Sequence, residues 1–426
     1  MCDLRIPAHD QGLGADEAHG LAVHAAARLT QPGTPLIFLT NFATRRNVKD
    51  ALSQGGVGEL FGVINFPIVQ LAEKDMPGEA EGLVKRMVDA LLDVRSRCEV
   101  DARPGNEDQA MLVRATQIYA RRIGADRAEV QFLSGLSGAA TARVSFTEGE
   151  ISRGHCFVKV LPSGVGLAEL TRYEIHVAGR LRPGSFAPAM SPIVHGLRGR
   201  VALFSTLADS RSRSLFQLLN SDPSVAAATL GPLREATGPW GSSGEKRRVA
   251  LSDLRAERVS NEKLAMKKLQ PFRDQIDALL AEEEIDVEMD IWPQHGDLHG
   301  ENVLIDRRGN PVMIDFGDCG ESPSCLDPVT LEMSVLFHKD RPGDLEWLSR
   351  EVCAEWPDAG RFAAASPYPE FILACRAWAN SVANARACAA VAYAHAMRQL
   401  KYPDVEPWQA LAVASSALRE VRGFSG

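Results

Sequence analysis

The chain has 426 residues, of which 45% are hydrophobic and 24% charged, and this composition suits a globular protein with two or three domains. Its net charge of −8 argues against nonspecific nucleic-acid binding and is only mildly compatible with a cationic substrate. The sequence shows no signal peptide, no membrane-spanning run and no C-x-x-C pair among its eight cysteines, so we expect reduced thiols in a cytoplasmic protein without membrane association.

The first hundred residues alternate short apolar strands with helices, which is typical of a parallel α/β unit. The predicted elements are a strand at Asp3–Pro7, a helix at about Ala15–Leu29, a strand at Pro35–Thr40, a helix at about Arg46–Ser53 and a strand at Phe61–Ile64. The arrangement resembles the C-terminal half of a response-regulator receiver domain, with Asp3 four residues before Pro7 and Thr40 closing its strand. The resemblance breaks down at Phe66, where that family has a lysine, and no acidic pair precedes Met1.

Three explanations stay open for this receiver-like half-domain, which we assign to residues 1–100 together with a C-terminal helix at Pro77–Val100. The assigned start of the chain lies too late, or the half-domain is completed by a second copy, or it serves only to bind a protein partner. A small dimerisation module is favoured over phosphorylation at Asp3, because half a receiver exposes a sheet edge. The helix is expected to pack on this unit, with pairing to a second chain as the alternative.

Residues 107–208 are predicted to form a small β-rich lobe after a linker at 101–106. A turn of small residues, Ser134–Ala139, joins two of its strands. Backbone N–H groups in such a turn can approach phosphate oxygens because glycine has no Cβ, although a plain hairpin has the same pattern. The predicted elements are a helix at Glu107–Ile123 and strands at Glu129–Leu133, Thr141–Phe146, Cys156–Leu161 and Val201–Ser205.

Lys159 lies among apolar residues in one of these strands. A lysine on a buried strand is costly unless it is paired, whereas on an edge strand it points to solvent. The following predicted helix, Leu167–Leu181, offers Glu169 and Glu174 as partners, and Glu174 is preferred because it lies in the middle of that helix.

Residues 209–426 are predicted to form a helical lobe. The polar segment Ser221–Ser260 is expected to be a flexible lid or substrate loop, or a mobile surface loop without a role. The stretch Glu370–Met397 is rich in alanine and predicted to be helical, with its aromatic side chains in the core.

The most specific signal is His295–Asn302 with the segment Met313–Asp318 that follows it. Val303–Asp306 and Pro311–Asp315 are predicted strands of a hairpin between the two motifs. Phosphoryl transfer needs a carboxylate that orients and deprotonates the acceptor hydroxyl, and hard oxygen ligands for Mg²⁺. Asp297 suits the first task and Asn302 with Asp315 the second; the alternative is an acidic turn beside a buried hairpin.

At these residues the chain resembles the aminoglycoside phosphotransferase and choline-kinase superfamily, whose H-G-D-L-H-x-x-N and I-D-F-G-D motifs it matches. Asp327-Pro328 fits the aspartate that supports the catalytic loop in that family. More distant segments resemble a bacterial subgroup of phosphotransferases with a ternary-complex-associated domain. The resemblance covers roughly residues 125–420 and implies an α+β, bilobal protein-kinase-like fold, with a small β-rich N-lobe and a helical C-lobe, after the receiver-like domain.

The resemblance implies a phosphotransferase that uses ATP and Mg²⁺ to phosphorylate a hydroxyl of a small molecule. Its implied site consists of Asp297 as the catalytic residue, Gly135, Ser137, Gly138, Lys159 and Glu174 around the nucleotide, and Asn302 and Asp315 at the metal. Asp318 is a further candidate at the metal or in the loop. The helical lobe is expected to build the acceptor pocket, for which the candidates are Glu332, His338, Trp378 and Asn380.

Two other functions remain compatible with these residues: a nucleotide-binding regulatory scaffold or pseudokinase that acts through protein partners, and transfer of a nucleotidyl group. The sequence leaves open the acceptor, the choice between ATP and GTP, and the oligomeric state.

Overall fold

A computed structural model describes residues 2–3, 6–7, 15–31, 34–40, 57–133, 139–207 and 212–423. The chain divides into two units, Met1–Leu170 with Pro188–Ser210, and Thr171–Ala187 with Arg211–Gly426. No helix within the described ranges combines the length and apolar character needed to cross a bilayer.

The first unit contains short strands, two larger sheets and the helices that cover them. Its strands are β1 (Cys2–Asp3), β2 (Ile6–Pro7), β3 (Ala15–Asp16), β4 (Leu36–Thr40), β5 (Val57–Leu60), β6 (Val63–Pro67), β7 (Val69–Glu73), β8 (Glu99–Asp101), β9 (Arg127–Leu133), β10 (Ala140–Glu148), β11 (Ile151–Pro162) and β12 (Arg200–Leu207). Its helices are α1 (Glu17–Thr30), α2 (Pro77–Arg97), α3 (Glu107–Ile123) and α4 (Ser163–Tyr173).

The N-terminal segment contains the parallel sheet that its sequence pattern predicts. Strands β1, β4 and β7 pair in parallel in that order, with Phe38 opposite Cys2 and Leu36 opposite Val69. The predicted strand at Phe61–Ile64 is confirmed for Val63 and Ile64, which lie in β6, and wrong for Phe61 and Gly62, which form the turn of the β5–β6 hairpin with positive φ angles of 51° and 77°. The predicted helix at 46–53 and the side chains of Asp3 and Thr40 lie outside the described residues, and the receiver resemblance stays a prediction.

A five-stranded sheet forms the rest of the first unit, in the order β12-β11-β10-β9-β8. Helix α3 has the predicted bounds, since Asn106 caps its first turn by accepting from Gln109 N and Gly124 ends it in the left-handed region. Tyr119 of α3 stacks on Phe204 of the sheet with ring centroids 4.3 Å apart. The core beneath α3 is continuous with apolar side chains of the N-terminal segment, which are Leu60, Phe61, Phe66, Ile68, Val94 and Cys98.

The second unit is mainly helical and contains two small sheets. Its strands are β13 (Arg213–Ser214), β14 (Glu245–Ala250), β15 (Asp286–Gln294), β16 (Val303–Ile305), β17 (Pro311–Met313) and β18 (Gly320–Pro323). Its helices are α5 (Leu215–Ser221), α6 (Pro223–Thr237), α7 (Leu251–Arg258), α8 (Asn261–Leu264), α9 (Arg273–Ala281), α10 (Leu326–Phe337), α11 (Arg350–Ala354), α12 (Ala359–Ala365), α13 (Pro369–Val382), α14 (Ala385–Gln399) and α15 (Pro407–Gly423).

The segment 221–260, expected to be a polar loop, is ordered secondary structure. Helix α6 buries Ala226, Leu230 and Leu233, which recur at helical spacing, and β14 pairs antiparallel with β15. Trp240 is fully buried, and its Nε1 donates to the backbone oxygen of His176 at 2.6 Å. The many exposed polar residues of the segment 221–260 cover the outer face of a packed layer, which explains why composition alone suggested a loop.

The alanine-rich stretch near the C-terminus is helical, as predicted, and forms two helices. Asn384 separates α13 from α14 and caps α14 by accepting from Ala387 N at 2.8 Å. The aromatic residues Phe371, Trp378 and Tyr393 lie in the core, as expected. The seven cysteines whose side chains are described are buried free thiols.

Candidate active site

The loop that follows β15 is held from below by one buried carboxylate. Asp327, only 1% exposed, accepts hydrogen bonds from His295 N at 2.8 Å and from Gly296 N at 3.0 Å. The buried imidazole of His295 hydrogen-bonds through Nε2 to the backbone oxygen of Ile314 at 2.8 Å. Asp327 and His295 therefore hold the loop in shape, and for Asp327 this is the role that the resemblance implies.

Gly296 stands where protein-kinase loops have an arginine, and its conformation explains the difference. Its φ is +83°, and a Cβ at this position would lie 2.2 Å from the backbone oxygen of Asp318. No side chain fits there without moving the backbone, so the loop and the segment after the hairpin pack against each other through this glycine.

The hairpin between the two motifs has the predicted position and joins three of the predicted site residues. Val303 of β16 pairs with Met313 of β17, and Ile314 N donates to the backbone oxygen of Asn302 at 3.0 Å. The Nδ2 of Asn302 donates to the backbone oxygen of Asp297 at 3.0 Å. Asp297 and Asn302 are thus linked directly, and Asp315 follows one residue after the bond to Asn302.

Asp315 has a positive φ of 63°, one of four non-glycine residues with this conformation in the described part of the chain. Left-handed backbone costs energy in any residue with a side chain, although aspartate tolerates it better than most. Such conformations persist where the surrounding structure enforces them, and they concentrate at functional sites.

The Asp297 carboxylate contacts a cation that was not predicted from the sequence. The Nη1 of Arg398 lies 2.9 Å from its Oδ1, and the Nε2 of His299 lies 3.8 Å from its Oδ2. Burial is the largest influence on the pKa of Asp297 and raises it, but the charges of Arg398, His299, Arg258 and His295 together outweigh burial and hold the pKa below its usual value. Asp297 is therefore ionised at neutral pH, as a proton acceptor must be.

Arg398 comes from α14 and is 8% exposed in an otherwise small and apolar helix surface. Its Nη2 also lies 3.8 Å from the Oδ2 of Asp318, whose side chain is 57% exposed. Buried arginines are rare without a partner, so an arginine near the end of an alanine-rich helix was the available sequence signal. Nothing in the sequence indicated that its partner is Asp297, which lies 101 residues earlier in the chain.

A cavity of about 270 Å³ opens beside this loop, within the second unit. Its charged lining consists of Arg258, Arg398, Lys401, Glu257 and Asp318, and its apolar wall includes residues of α7, α10 and α14. The acceptor-pocket candidates proposed from sequence, Glu332, His338, Trp378 and Asn380, do not line it. Glu332 is 1% exposed and hydrogen-bonds to the Nε of Arg376 at 2.5 Å and to the Nε1 of Trp356 at 3.0 Å, which is a structural role.

Lys159 is buried in the first unit and pairs with Glu169, whose Oε2 lies 3.0 Å from its Nζ. This corrects the preference for Glu174. Because α4 begins at Ser163, four residues before the predicted start, Glu169 lies mid-helix, whereas Glu174 opens a π-helical turn and is exposed. Gly135, Ser137 and Gly138, the predicted phosphate turn, lie outside the described residues.

Asn302 and Asp315 supply the oxygen donors that a hard cation prefers. The amide nitrogen of Asn302 is engaged with Asp297, which leaves its Oδ1 as the atom suited to a metal. Within the described ranges, no three His, Cys, Asp or Glu side chains converge to hold a metal ion alone. The donor set therefore fits Mg²⁺ that is bound jointly with nucleotide phosphates and water, rather than a closed protein site.

Comparison with known proteins adds a family assignment. The model of a family described as the phosphotransferase enzyme family matches residues 133–360, which is more than half of the chain. A search of curated proteins finds no significant match to the sequence.

Three solved structures are similar at low identity. Amicoumacin kinase, in complex with AMP-PNP, Ca²⁺ and its ligand, is 13% identical over 70% of this chain and 88% of its own, with a TM-score of 0.38. Aminoglycoside phosphotransferase APH(4)-Ia, as a thermostable mutant in the apo form, is 14% identical over 68% and 94%, with a TM-score of 0.41. Glucosamine kinase with glucosamine, ADP and phosphate is 15% identical over 76% and 87%, with a TM-score of 0.40.

Proposed function

The chain belongs to the phosphotransferase enzyme family, and we propose that it transfers the γ-phosphate of ATP to a hydroxyl of a small molecule in a Mg²⁺-dependent reaction. The observation that carries this proposal is the loop and hairpin that bring Asp297, Asn302 and Asp315 together: the Nδ2 of Asn302 donates to the backbone oxygen of Asp297, and Ile314 N, next to Asp315, donates to the backbone oxygen of Asn302. This arrangement combines a proton acceptor with metal-binding oxygens, which is what phosphoryl transfer requires.

In the proposed reaction, the acceptor oxygen forms a new bond to the γ-phosphorus while the bond from that phosphorus to the β,γ-bridging oxygen breaks. The acceptor proton passes to the carboxylate of Asp297, and ADP leaves with the bridging oxygen. Arg398 holds the carboxylate ionised and oriented, since its Nη1 lies 2.9 Å from Oδ1. Asn302 and Asp315 would hold Mg²⁺, which when bound neutralises charge on the phosphates.

Lys159 is proposed to hold nucleotide phosphates, with Glu169 fixing its position. A buried lysine needs a partner, and the 3.0 Å ion pair supplies one. Gly135, Ser137 and Gly138 remain proposed phosphate contacts because of their place between β9 and β10.

The first test is calorimetric titration with ATP, in the presence and absence of Mg²⁺, of the wild-type protein and of Asp315→Ala. We expect Mg²⁺-dependent binding that weakens by at least about 10-fold in Asp315→Ala, because loss of even an indirect support of a metal ligand costs roughly 10–100-fold in metal affinity. Asp274→Ala, which removes an exposed carboxylate on α9, should bind ATP as the wild type does.

Binding that ignores both Mg²⁺ and Asp315 would contradict the proposal. Nucleotide binding without ADP formation across a screen of small alcohols would favour a regulatory scaffold. A phosphorylated product gains one phosphate, whereas nucleotidyl transfer adds AMP, so the product mass separates those two chemistries.

The second prediction compares the same substitution at Glu169 and at Glu174. Glu169→Gln should weaken Mg·ATP binding by about 10-fold, the size of one hydrogen bond to a charged group, because Lys159 loses the carboxylate that positions it. Glu174→Gln makes the same chemical change at an exposed side chain and should leave binding unchanged. Titration of both variants decides between the two acids, and a larger effect at Glu174 would restore the original preference.

A further inference from the structure

The cavity beside the catalytic loop has a chemical character that the proposed function leaves undefined. Its volume of about 270 Å³ lies slightly below the range of roughly 300–1,000 Å³ that is usual for drug-sized ligands, so it suits a small metabolite. The cavity and the Asp297 carboxylate share one residue, Arg398, which lines the first and contacts the second. A molecule in the cavity therefore lies against Arg398, the residue that contacts the proposed proton acceptor.

Among the cations that line this cavity, Arg258 has a buried guanidinium nitrogen without a hydrogen-bond partner in the described residues. Its Nη2 donates to the backbone oxygen of Gly296 at 3.0 Å. Its Nε is buried without a hydrogen-bond partner in the part of the chain that the structure describes. Burying a donor without a partner costs about the desolvation free energy of that group. An anionic oxygen in the cavity would give this donor a hydrogen-bond acceptor.

Arg398 and Lys401 bring the cavity to three cations, two of them from the end of α14 and the residues just after it. Arg398 is engaged by Asp297 and Asp318, whereas Arg258 and Lys401 form no ion pair within the described ranges. The two acids of the lining, Glu257 and Asp318, are both exposed to solvent, whereas Arg258, Arg398 and Lys401 are buried or half-buried. Water screens the acids more strongly than the cations, so the inner part of the cavity is positive.

The pKa values of Lys401 and Arg258 are both lowered, first by burial and then by the neighbouring cations. Burial, and after it the charges of Arg398 and Arg258, lowers the pKa of Lys401 to about 8. Burial, and after it the charge of Arg398, lowers the pKa of Arg258 to about 10. The charges of Asp297 and Asp318 oppose this shift at both groups, and burial is its largest cause.

We propose that the acceptor is an anionic alcohol: a small molecule that carries a carboxylate or phosphate group, held by Arg258, Arg398 and Lys401, together with the hydroxyl that is phosphorylated. This inference rests on the proposed function and specifies its substrate class. A cationic acceptor would bring a positive charge against three others in a half-buried space, which is unfavourable. The local charge therefore reverses the mild expectation of a cationic substrate that follows from the net charge of −8.

The test is a series of three-carbon alcohols that differ in charge: glycerol 3-phosphate, glycerate, glycerol and 3-amino-1,2-propanediol. Each is titrated into wild-type protein by calorimetry at constant ionic strength, and each is offered as acceptor with Mg·ATP while ADP is measured. We expect at least one anionic member to bind about 10-fold or more tightly than glycerol, and the amine to bind most weakly. The two anionic arms distinguish a phosphate from a carboxylate as the recognised group.

Lys401→Met should remove most of the anion preference, lowering the affinity of the better anion by about 10-fold, whereas Lys401→Arg should retain it. Lys263→Met, the same change at an exposed lysine on α8, should have no effect. Lys401 forms no hydrogen bond or ion pair with Asp297 in the described part of the chain, so these variants keep the side chains of the proposed proton acceptor and metal ligands. Equal affinity across the series, tighter binding of the amine, or no detectable binding of either anion at millimolar concentration would overturn the inference.

Failure of this inference is separable from failure of the proposed function. Mg·ATP titrated into the same preparations reports the nucleotide site independently of the acceptor. Intact nucleotide binding with no charge preference among the alcohols overturns only the substrate class. Anion binding that depends on Lys401, in a protein that binds no nucleotide, would support the cavity assignment and overturn the phosphotransferase proposal.

Discussion

Replacing Asp297 with asparagine is expected to lower turnover by about 10²–10⁴-fold, the usual contribution of general acid–base catalysis, while the fold is retained. The asparagine keeps the shape of the side chain but cannot accept the proton of the acceptor hydroxyl. The backbone oxygen of Asp297, which accepts from Asn302, is unaffected, so the loop geometry is preserved. The measurement is ADP formation under saturating Mg·ATP with the best acceptor of the charge series.

Mg·ATP affinity supplies the internal control for this variant, and it should change little because Asp297 is assigned to the acceptor and not to the metal. Asp274→Asn makes the same substitution at an exposed site and should keep wild-type turnover. A loss smaller than tenfold in Asp297→Asn would remove the proposed role. Since Arg398 keeps the pKa of Asp297 below its usual value of about 3.9, protonation of this group should not reduce turnover between pH 5 and 8.

Asp327→Ala is expected to reduce the free energy of unfolding by about 2–6 kcal/mol, because it orphans two buried backbone donors at roughly 1–3 kcal/mol each. Those donors are the N–H groups of His295 and Gly296, held at 2.8 and 3.0 Å in the native loop. The Asp327 side chain is itself 1% exposed, so water cannot readily replace it. Urea or thermal denaturation measures the loss, and turnover should fall in parallel as the loop relaxes.

Two companion variants identify the cause. Asp327→Asn retains one accepting oxygen and should lie between the wild type and Asp327→Ala in stability. Asp274→Ala removes an exposed carboxylate and should shift the free energy of unfolding by less than about 0.5 kcal/mol. Equal stability of wild type and Asp327→Ala would mean that the loop does not depend on this support.

The sequence predictions succeeded for features that are decided by residues close together in the chain, and failed more often for features that depend on distant residues. Asp297, Asn302 and Asp315 lie within one loop and hairpin, whose turns and hydrogen bonds are local, and the structure contains that hairpin where it was predicted. Helix α3 was predicted with its bounds because Asn106 and Gly124 mark its ends directly. The family motifs lie in the same local segments, which is why a resemblance was visible there.

The errors have physical causes as well. Glu174 was preferred over Glu169 because the predicted helix began at Leu167, whereas α4 begins at Ser163, and the ends of helices are their least certain part. The segment around Trp240 was taken for a loop because its polar residues are those of a solvent-facing layer, while the partners that bury Trp240 lie elsewhere in the chain.

By itself, the sequence determined the positions of the His295–Asn302 loop and of the hairpin after it, and with them the candidate residues for phosphoryl transfer, since short-range backbone geometry places all of these residues. Only the tertiary structure decided which cation lies against Asp297 and what charge surrounds the cavity beside it. More than a hundred residues separate Arg258 from Arg398 and Lys401 in the chain, and only packing brings them to one cavity. Net charge could not reveal this, because the potential inside a small cavity depends on the nearest buried groups and not on the total for the chain.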